Sequence, residues 1–374
     1  MTRNVVVLNA GSSSVKFAVA QNRRIVLRGF VEHFGRQARI HVVSEGRRRT
    51  RVANVPDLRS ALVEVRRVAA DYGIKPDIIA HRIVHGGKRF SKPMRLTPSV
   101  IQYLKTLADL APLHQPANLL GVSFAKRVWP KALQWGVFDT AIYRSLPEHA
   151  RTYAIPRRLA TLLAIERYGF HGTSHAWVFR QGAKKLRKPL RSFSAVTIHL
   201  GAGASMTLWQ NGVPVDTTMG FTPLEGLTML TRSGDIDPAI PLYIQSKLGW
   251  SAERVKYLLE HESGLFGLCG LKDMRDILGA IGKPVAGWPR RKYTAAVRAR
   301  ARLALGVYTY RIRRYLAAYL GLSSTVQAIV FTGPISGKRI IRQMILRDLP
   351  AARGIRTFMV PTDEEQAIVD AVAA

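Results

Sequence analysis

The sequence predicts an α/β protein made of two related lobes. Three observations lead there. At 374 residues, the chain has room for two domains of roughly 100–200 residues each. Its composition, 47% apolar and 22% charged, is that of an ordinary globular protein and excludes collagen-like, mucin-like and disordered classes. Finally, the chain repeats itself once. Residues 5–17 read as strand, small-residue turn and strand, followed by Gln21-Asn22 and a further apolar pair, Ile25-Val26. Residues 196–209 read the same way, followed by Gln210-Asn211 and Val213-Pro-Val215. Ala-Gly follows the first strand in both, at Ala10-Gly11 and Ala202-Gly203.

The remaining elements follow from periodicity. Leu58, Ala61, Leu62, Val65, Val68, Ala69 and Tyr72 fall at 3- to 4-residue steps, predicting a helix over 55–72. Strands are expected at 77–81, 134–139 and 327–332. Two prolines and a glycine make 283–291 a loop. A long helix is expected at 291–320, with Val297, Ala301, Leu305, Tyr308, Ile312, Leu316 and Tyr319 on one face and most of its arginines off that stripe.

Charge sets this chain apart. It carries 57 basic and 24 acidic residues, a net +33. Such a field favours anionic ligands and leaves the fold open. The basic residues are spread along the chain, which points to a generally basic surface; nucleic acid is a possible but not favoured partner. No apolar run reaches the ~18 residues of a membrane helix or the about 7–15 of a signal-peptide core, so a cytoplasmic protein is expected. A single cysteine, Cys269, excludes an intramolecular disulfide framework. It reads as a buried small residue.

Chemistry-bearing residues cluster beside Gly or Pro in seven segments. They are Asn9-Ala-Gly-Ser-Ser-Ser-Val-Lys16, His81-Arg-Ile-Val-His-Gly-Gly87, Ala111-Pro-Leu-His-Gln-Pro-Ala-Asn118, Val137-Phe-Asp-Thr140, Tyr168-Gly-Phe-His-Gly-Thr-Ser-His175, residues 220–238, and Thr362-Asp-Glu-Glu365. Loops at strand ends are where α/β proteins carry their sites. Glycine turns let the backbone close on a phosphate, and their amides form anion-binding nests. Neither a Walker-type P-loop nor a GxGxxG after a strand is present, which disfavours those two nucleotide folds.

On these segments the chain closely resembles the acetate kinases, of the superfamily of sugar kinases, Hsp70 and actin, from residue 4 to about 369. The match is dense in Gly220-Phe-Thr-Pro-Leu-Glu-Gly226, Thr231-Arg-Ser-Gly-Asp-Ile-Asp-Pro238 and residues 168–175, and poor over 30–54. The resemblance implies two duplicated ribonuclease-H-like lobes around a central cleft. The N-terminal lobe would be 1–140, completed by 366–374. The C-terminal lobe would be 141–365, with nucleotide-side and dimer-side elements. It implies a homodimer and the reversible, Mg²⁺- or Mn²⁺-dependent transfer of a phosphoryl group from ATP to acetate or another short-chain carboxylate. Arg82, Asp139, His171 and Arg232 match the family's catalytic positions. Arg82, Val84, Leu113, Phe170 and Pro223 match the acyl-substrate site. Asn9, Ser12, Ser14 and Lys16 match the phosphate-side signature. His199, Leu200, Gly201, Ala202 and Gly203, then Asp273, Met274 and Arg275, then Gly333, Pro334, Ile335, Ser336 and Gly337, match nucleotide segments. Asn9 and Glu364 match the metal side.

Two nucleotide segments depart from the family pattern. His-Leu-Gly-Asn-Gly has become His199-Leu-Gly-Ala-Gly203, so Ala202 lacks an amide side chain. Thr-Gly-Gly-Ile-Gly-Glu-Asn has become Thr332-Gly-Pro-Ile-Ser-Gly-Lys338. Pro334 fixes φ and removes an N–H, while Lys338 adds a charge. Three accounts stay open: ATP with a remodelled loop, another donor such as pyrophosphate, or a weakened kinase-fold protein that binds polyanions or RNA.

Overall fold

The run Val5-Val-Val-Leu8 is apolar on both faces of a strand, so it needs cover on both sides. In the computed structural model, which describes residues 3–11, 14–112 and 114–373, it lies in strand β1 (Asn4–Ala10) of an eight-stranded sheet. The expected roles of Ser12 and Leu113 fall outside the described residues. The other strands are β2 (Ser14–Gln21), β3 (Arg24–Glu32), β4 (Gly35–Ser44), β5 (Arg47–Val55), β6 (Ile78–Ile83), β7 (Met94–Arg95) and β8 (Leu133–Phe138). Their order is β5-β4-β3-β2-β1-β6-β8-β7. The β1–β6 and β6–β8 pairs are parallel, and the rest antiparallel. On one face, Val6 and Leu8 share a core with Leu62, Val65 and Val68 of the helix Leu58–Asp71. On the other, Val5 and Val7 pack with Ile368 and Val369 of the closing helix Glu364–Val372.

The second sheet holds β9 (Ala195–Leu200), β10 (Ala204–Gln210), β11 (Val213–Thr217), β12 (Ala328–Thr332) and β13 (Arg356–Met359), in the order β11-β10-β9-β12-β13. Its three antiparallel strands followed by two parallel ones repeat β3-β2-β1-β6-β8 of the first sheet. The internal repeat is therefore a duplicated α/β unit. The structural equivalence is two residues out of step with the sequence match. The first strands end at Ala10 and Leu200, so Gly11 corresponds to Gly201 rather than Gly203. Gly201-Ala-Gly203 contains two glycines, and alignment by composition settles on the wrong one.

The chain divides into two compact units. One comprises Met1–Arg144, His171–Trp177 and Asp363–Ala374; the other comprises Ser145–Phe170 and Val178–Thr362. Residues 141–144, 171–177 and 363–365, expected in the second lobe, thus belong to the first. The physical ties are local: the Gly172 N–H donates to the Asp139 carbonyl, and Arg28 pairs with Asp363 and Glu365.

Helix boundaries moved where caps decide them. The helix expected from 55 begins at Leu58, because Asp57 caps it by accepting from the Ser60 N–H at 2.7 Å. The long helix starts at Ala295 behind the cap Thr294 and runs to Leu322. Cys269 is buried and donates to the Leu265 carbonyl at 3.1 Å. Among the described residues no helix is long and apolar enough to cross a membrane.

Two histidines of the first unit are buried without net charge. Burial lowers His81 to about 4, against the hydrogen bond its Nε2 donates to Gln134 Oε1, which acts the other way. Burial, then Arg144, lowers His85 to about 3. Unfolding returns each to its ordinary value near 6.5, where it takes up a proton as the medium acidifies. Stability is therefore present above that value and is lost as pH falls toward the folded pKa, by about 2 kcal/mol per histidine between pH 7 and 5. Denaturant titration at the two pH values should show this fall, and His81→Gln should remove about half of it, leaving the share of His85. An unchanged pH slope in that variant would contradict the assignment.

Candidate active site

Parallel strands present ligand-binding loops at their carboxyl ends. In the first unit three such ends align. Leu8 pairs with His81, and Arg82 with Val137, so Asn9, Arg82 and Asp139 emerge together from β1, β6 and the residue after β8. Arg82 donates to Asp139 through Nη2 at 2.5 Å and Nε at 3.2 Å, and to Asn9 Oδ1 through Nη1 at 3.3 Å. Glu364, at the start of the closing helix, sets Oε2 3.5 Å from Arg82 Nε. Thr173 Oγ1 donates to Asp139 Oδ1 at 2.7 Å. A Cβ on Gly172 would fall on the Asp139 carbonyl oxygen, so the residue after His171 has to be glycine. His171 itself adopts a left-handed φ of 57°.

Burial works against the charge of Arg82, but Asp139 and then Glu364 outweigh it, and its pKa lies above the ordinary arginine value. Burial also dominates at Asp139. It raises the carboxyl, Glu364 adds to the rise, and Arg82 opposes it. Two carboxylates crowd one guanidinium, a geometry that a second cation would relieve. Asn118 braces the same edge. Its Nδ2 donates to the Ala10 carbonyl at 2.7 Å, and its Oδ1 accepts from the N–H of buried Val84 at 2.9 Å. Lys16 is exposed, its Nζ 5.7 Å from the Phe30 ring centroid, and the Ser14 carbonyl closes the turn by accepting from the Gly11 N–H at 2.9 Å.

In the second unit the parallel ends of β9 and β12 meet likewise, with His199 paired to Thr332. Gly333 has φ 86°, and a Cβ there would strike the Leu200 backbone. Ile335 N–H donates to the Leu200 carbonyl at 2.9 Å. A Cβ on Gly201 would lie 3.5 Å from Pro334 Cδ. The segments 199–203 and 333–337 are therefore neighbours. Pro334 is exposed, and the bonds that shape its loop come from the N–H groups of Ile335, Gly337 and Lys338, so the missing proline N–H is not needed. The buried hydroxyls of Thr332 and Ser336 lack a partner among the described residues. Ala202 sits exposed at the turn, and its carbonyl accepts from the Leu230 N–H at 3.3 Å. Asp273 caps the helix Met274–Ala280 and grips the Arg275 guanidinium at 2.6 and 2.9 Å, while Arg275 stacks 3.4 Å over the Trp288 ring.

Arg232 differs from Arg82. Its nearest polar neighbours are the Pro223 carbonyl at 3.5 Å and Met229 Sδ at 3.8 Å, and among the described residues no carboxylate pairs with it. Burial lowers its pKa, opposed by Glu260. The loop that carries it is pinned twice. Asp235 accepts from the Gly226 N–H at 2.7 Å and from Tyr315 at 2.5 Å. Glu225 accepts from Arg167 at 2.6 Å and from Tyr153. Buried Phe170 follows Tyr168 and Gly169, whose N–H groups donate to the Gly220 carbonyl at 3.1 and 3.3 Å.

A family model described as the acetokinase family matches residues 4–357. The chain belongs to the acetate kinase family. It is 38% identical to an acetate kinase of Arthrobacter sp. (strain FB24), covering 99% of this chain and 98% of that protein. It is 42% identical to acetate kinase 2 of Vibrio parahaemolyticus, covering 92% and 86%. Among solved structures, a propionate kinase from Francisella tularensis superposes with a TM-score of 0.89 at 32% identity, and the acetate kinase of Porphyromonas gingivalis with 0.85 at 32%. Those alignments cover 98% of both chains and 99% of both chains respectively. As a member of the acetate kinase family, this chain is a phosphotransferase with a carboxyl group as acceptor.

Three braces of this site carry no signal of their role in the sequence: Thr173 on Asp139, Asn118 between two strand ends, and Glu225 with Arg167 and Tyr153. Only the fold shows what they hold. Replacing Thr173 with valine removes a donor from a buried carboxylate, where bonds to charged groups contribute about 1.5–3 kcal/mol. Thr173→Val should lower stability by that amount in denaturant unfolding, and Thr173→Ser should recover most of it. Parent-like stability of the valine variant would show that Asp139 does not depend on this hydroxyl.

Proposed function

We propose that this protein transfers the γ-phosphoryl group of ATP to acetate or another short-chain carboxylate, reversibly and with a divalent cation, Mg²⁺ or Mn²⁺. Carrying the proposal is Arg232, a partly buried guanidinium that no carboxylate pairs with among the described residues, although Glu260 acts on its charge from beyond ion-pair distance. A partly buried charge without a paired counter-ion is unfavourable, and an anionic substrate would complete it. In phosphoryl transfer, catalysis is mostly positioning and neutralisation of spread negative charge, and a planar guanidinium suits both.

In this reading Arg82 and Arg232 take the oxygens of the carboxylate and of the phosphoryl group in flight. His171 hydrogen-bonds that group. Val84, Phe170 and Pro223 are the acyl-substrate residues. Asn9, Ser14 and Lys16 are the phosphate-side residues. Segments 199–203, 273–275 and 333–337 hold the nucleotide. Among the described residues no group of three or more His, Cys, Asp or Glu side chains could close around an ion. Mg²⁺ in nucleotide enzymes needs one or two carboxylates and otherwise keeps water and phosphate oxygens. Glu364, with Asp139 and the amide oxygen of Asn9, fits that donor set. The cation would supply neutralisation of phosphate charge, and Arg82 holds the two carboxylates in place for it. ATP is favoured as donor because the Gly333–Gly337 loop accommodates Pro334 without losing its seat on β9. A homodimer belongs to the same reading, supported by the helix Ala239–Leu248, which buries none of its residues and exposes Leu242, Tyr243 and Leu248. So does a cytoplasmic location.

Hydroxamate trapping of the acyl phosphate tests the reaction, crossing acetate and propionate with ATP, GTP and pyrophosphate in Mg²⁺. Product is expected from acetate with ATP. One methylene in an apolar pocket is worth only about 1–3 kcal/mol, so propionate should react too. No product from any donor would sink the reading. Arg232→Ala should lower turnover by on the order of 10²-fold or more; a change within about 3-fold would remove Arg232 from catalysis, since arginines in this role are worth far more.

A separate test concerns the donor. The amide side chain absent at Ala202 removes a hydrogen bond worth about 0.5–1.5 kcal/mol, roughly 2- to 12-fold in affinity. The ATP KM should therefore be raised, and Ala202→Asn should lower it several-fold. If that variant leaves the ATP KM unchanged and pyrophosphate is the better donor, ATP is replaced in the assignment.

A further inference from the structure

The closing helix of the first unit opens on three consecutive acids, Asp363-Glu-Glu365. The positive end of a helix favours such residues, but three adjacent like charges repel one another. One side chain resolves this. Arg28, on β3, spreads its guanidinium fork across the outer two: Nη2 meets Asp363 Oδ2 at 2.6 Å and Nη1 meets Glu365 Oε2 at 3.2 Å. Asp363 also caps the helix, its Oδ1 accepting from the Gln366 N–H at 3.0 Å. With both flanking carboxylates held by one cation, the middle one, Glu364, lies 3.5 Å from Arg82 Nε.

We infer that Arg28 is a positioning residue that aims Glu364 into the Arg82–Asp139–Asn9 cluster. The inference rests on the reading of Glu364 as a metal-side carboxylate. Arg28 is 40% exposed at its side chain, so its replacement removes an aiming contact without hollowing the core. Only a planar fork spans two carboxylates at once; a lysine ammonium carries the charge but not the geometry. The sign of the effect separates aiming from simple charge. Removing a positive group near a cation site should strengthen cation binding by Coulomb's law alone. An aiming residue predicts the opposite.

The experiment titrates Mn²⁺ into the full-length protein, following free Mn²⁺ by electron paramagnetic resonance, for the parent, Arg28→Ala, Arg28→Lys, Glu364→Gln and the Ala/Gln double variant. Melting temperatures establish that each is folded. Glu364→Gln and Arg28→Ala should each weaken Mn²⁺ binding several-fold. Arg28→Lys should fall between the parent and Arg28→Ala. The double variant should bind no more weakly than Glu364→Gln, because Arg28 acts through Glu364. If Arg28→Ala binds Mn²⁺ as tightly as the parent, or more tightly, while Glu364→Gln is impaired, the inference is overturned and the role of Glu364 stands. Additive losses in the double variant overturn it as well. If Glu364→Gln binds like the parent, the metal-side reading of Glu364 fails and the inference falls with it.

Discussion

The bidentate contact between Arg82 and Asp139 is the constraint around which the first unit is arranged. Taking an ion pair out of water is expensive, and removing one partner of a buried pair typically costs about 3–5 kcal/mol. Such a pair is tolerable only when every remaining lone pair and proton is used. Here Thr173 takes one oxygen of Asp139, Asn9 takes Nη1 of Arg82, and Glu364 lies 3.5 Å from the Nε that already donates to Asp139. The backbone follows the same demand. Gly172 closes on the Asp139 carbonyl, which draws 171–177 into the first unit although its neighbours on both sides belong to the second. The closing helix is drawn in as well, its apolar face against Val5 and Val7 and its acidic start beside Arg82.

The two units share a strand order but divide the electrostatics unequally. At the carboxyl edge of the first sheet, two carboxylates share one guanidinium, so the cluster is held together with a surplus of negative charge. In the second unit Arg232 sits on a loop fixed by Asp235 and by the Glu225–Arg167–Tyr153 group, with no carboxylate paired to it among the described residues. Rigid support around an unbalanced charge is the arrangement expected where electrostatic stabilisation must be ready before the reaction. The overall +33 adds a long-range attraction for anionic substrates to that local one.

The loops at 199–203 and 333–337 show how a departure from a family pattern can leave the backbone intact. Pro334 removes an N–H, yet that position is exposed and the loop is held by the amides after it. Gly333 is the residue without freedom, since its left-handed backbone lies against Leu200. Side chains at 202 and 337–338 depart from the family pattern, while the backbone of the loop keeps its hydrogen bond to β9.

By itself the sequence determined the α/β class, the duplication, and the segments that carry chemistry. Apolar periodicity, glycine turns and capping residues act over a few positions, and such short-range signals are readable one after another. It also showed Arg82, Asp139 and Glu364 as separate candidates, placed through long motifs. Only the tertiary structure decided that these three converge, because strand register and the return of the last helix join positions far apart in the chain. The same holds for Thr173, Asn118 and Arg28. A threonine, an asparagine or one arginine among many has no local signature; each acquires its role from a partner brought close by the fold. The two-residue slip between Gly203 and Gly201 has the same origin, since composition marks a turn while hydrogen-bond register decides where the strand before it ends.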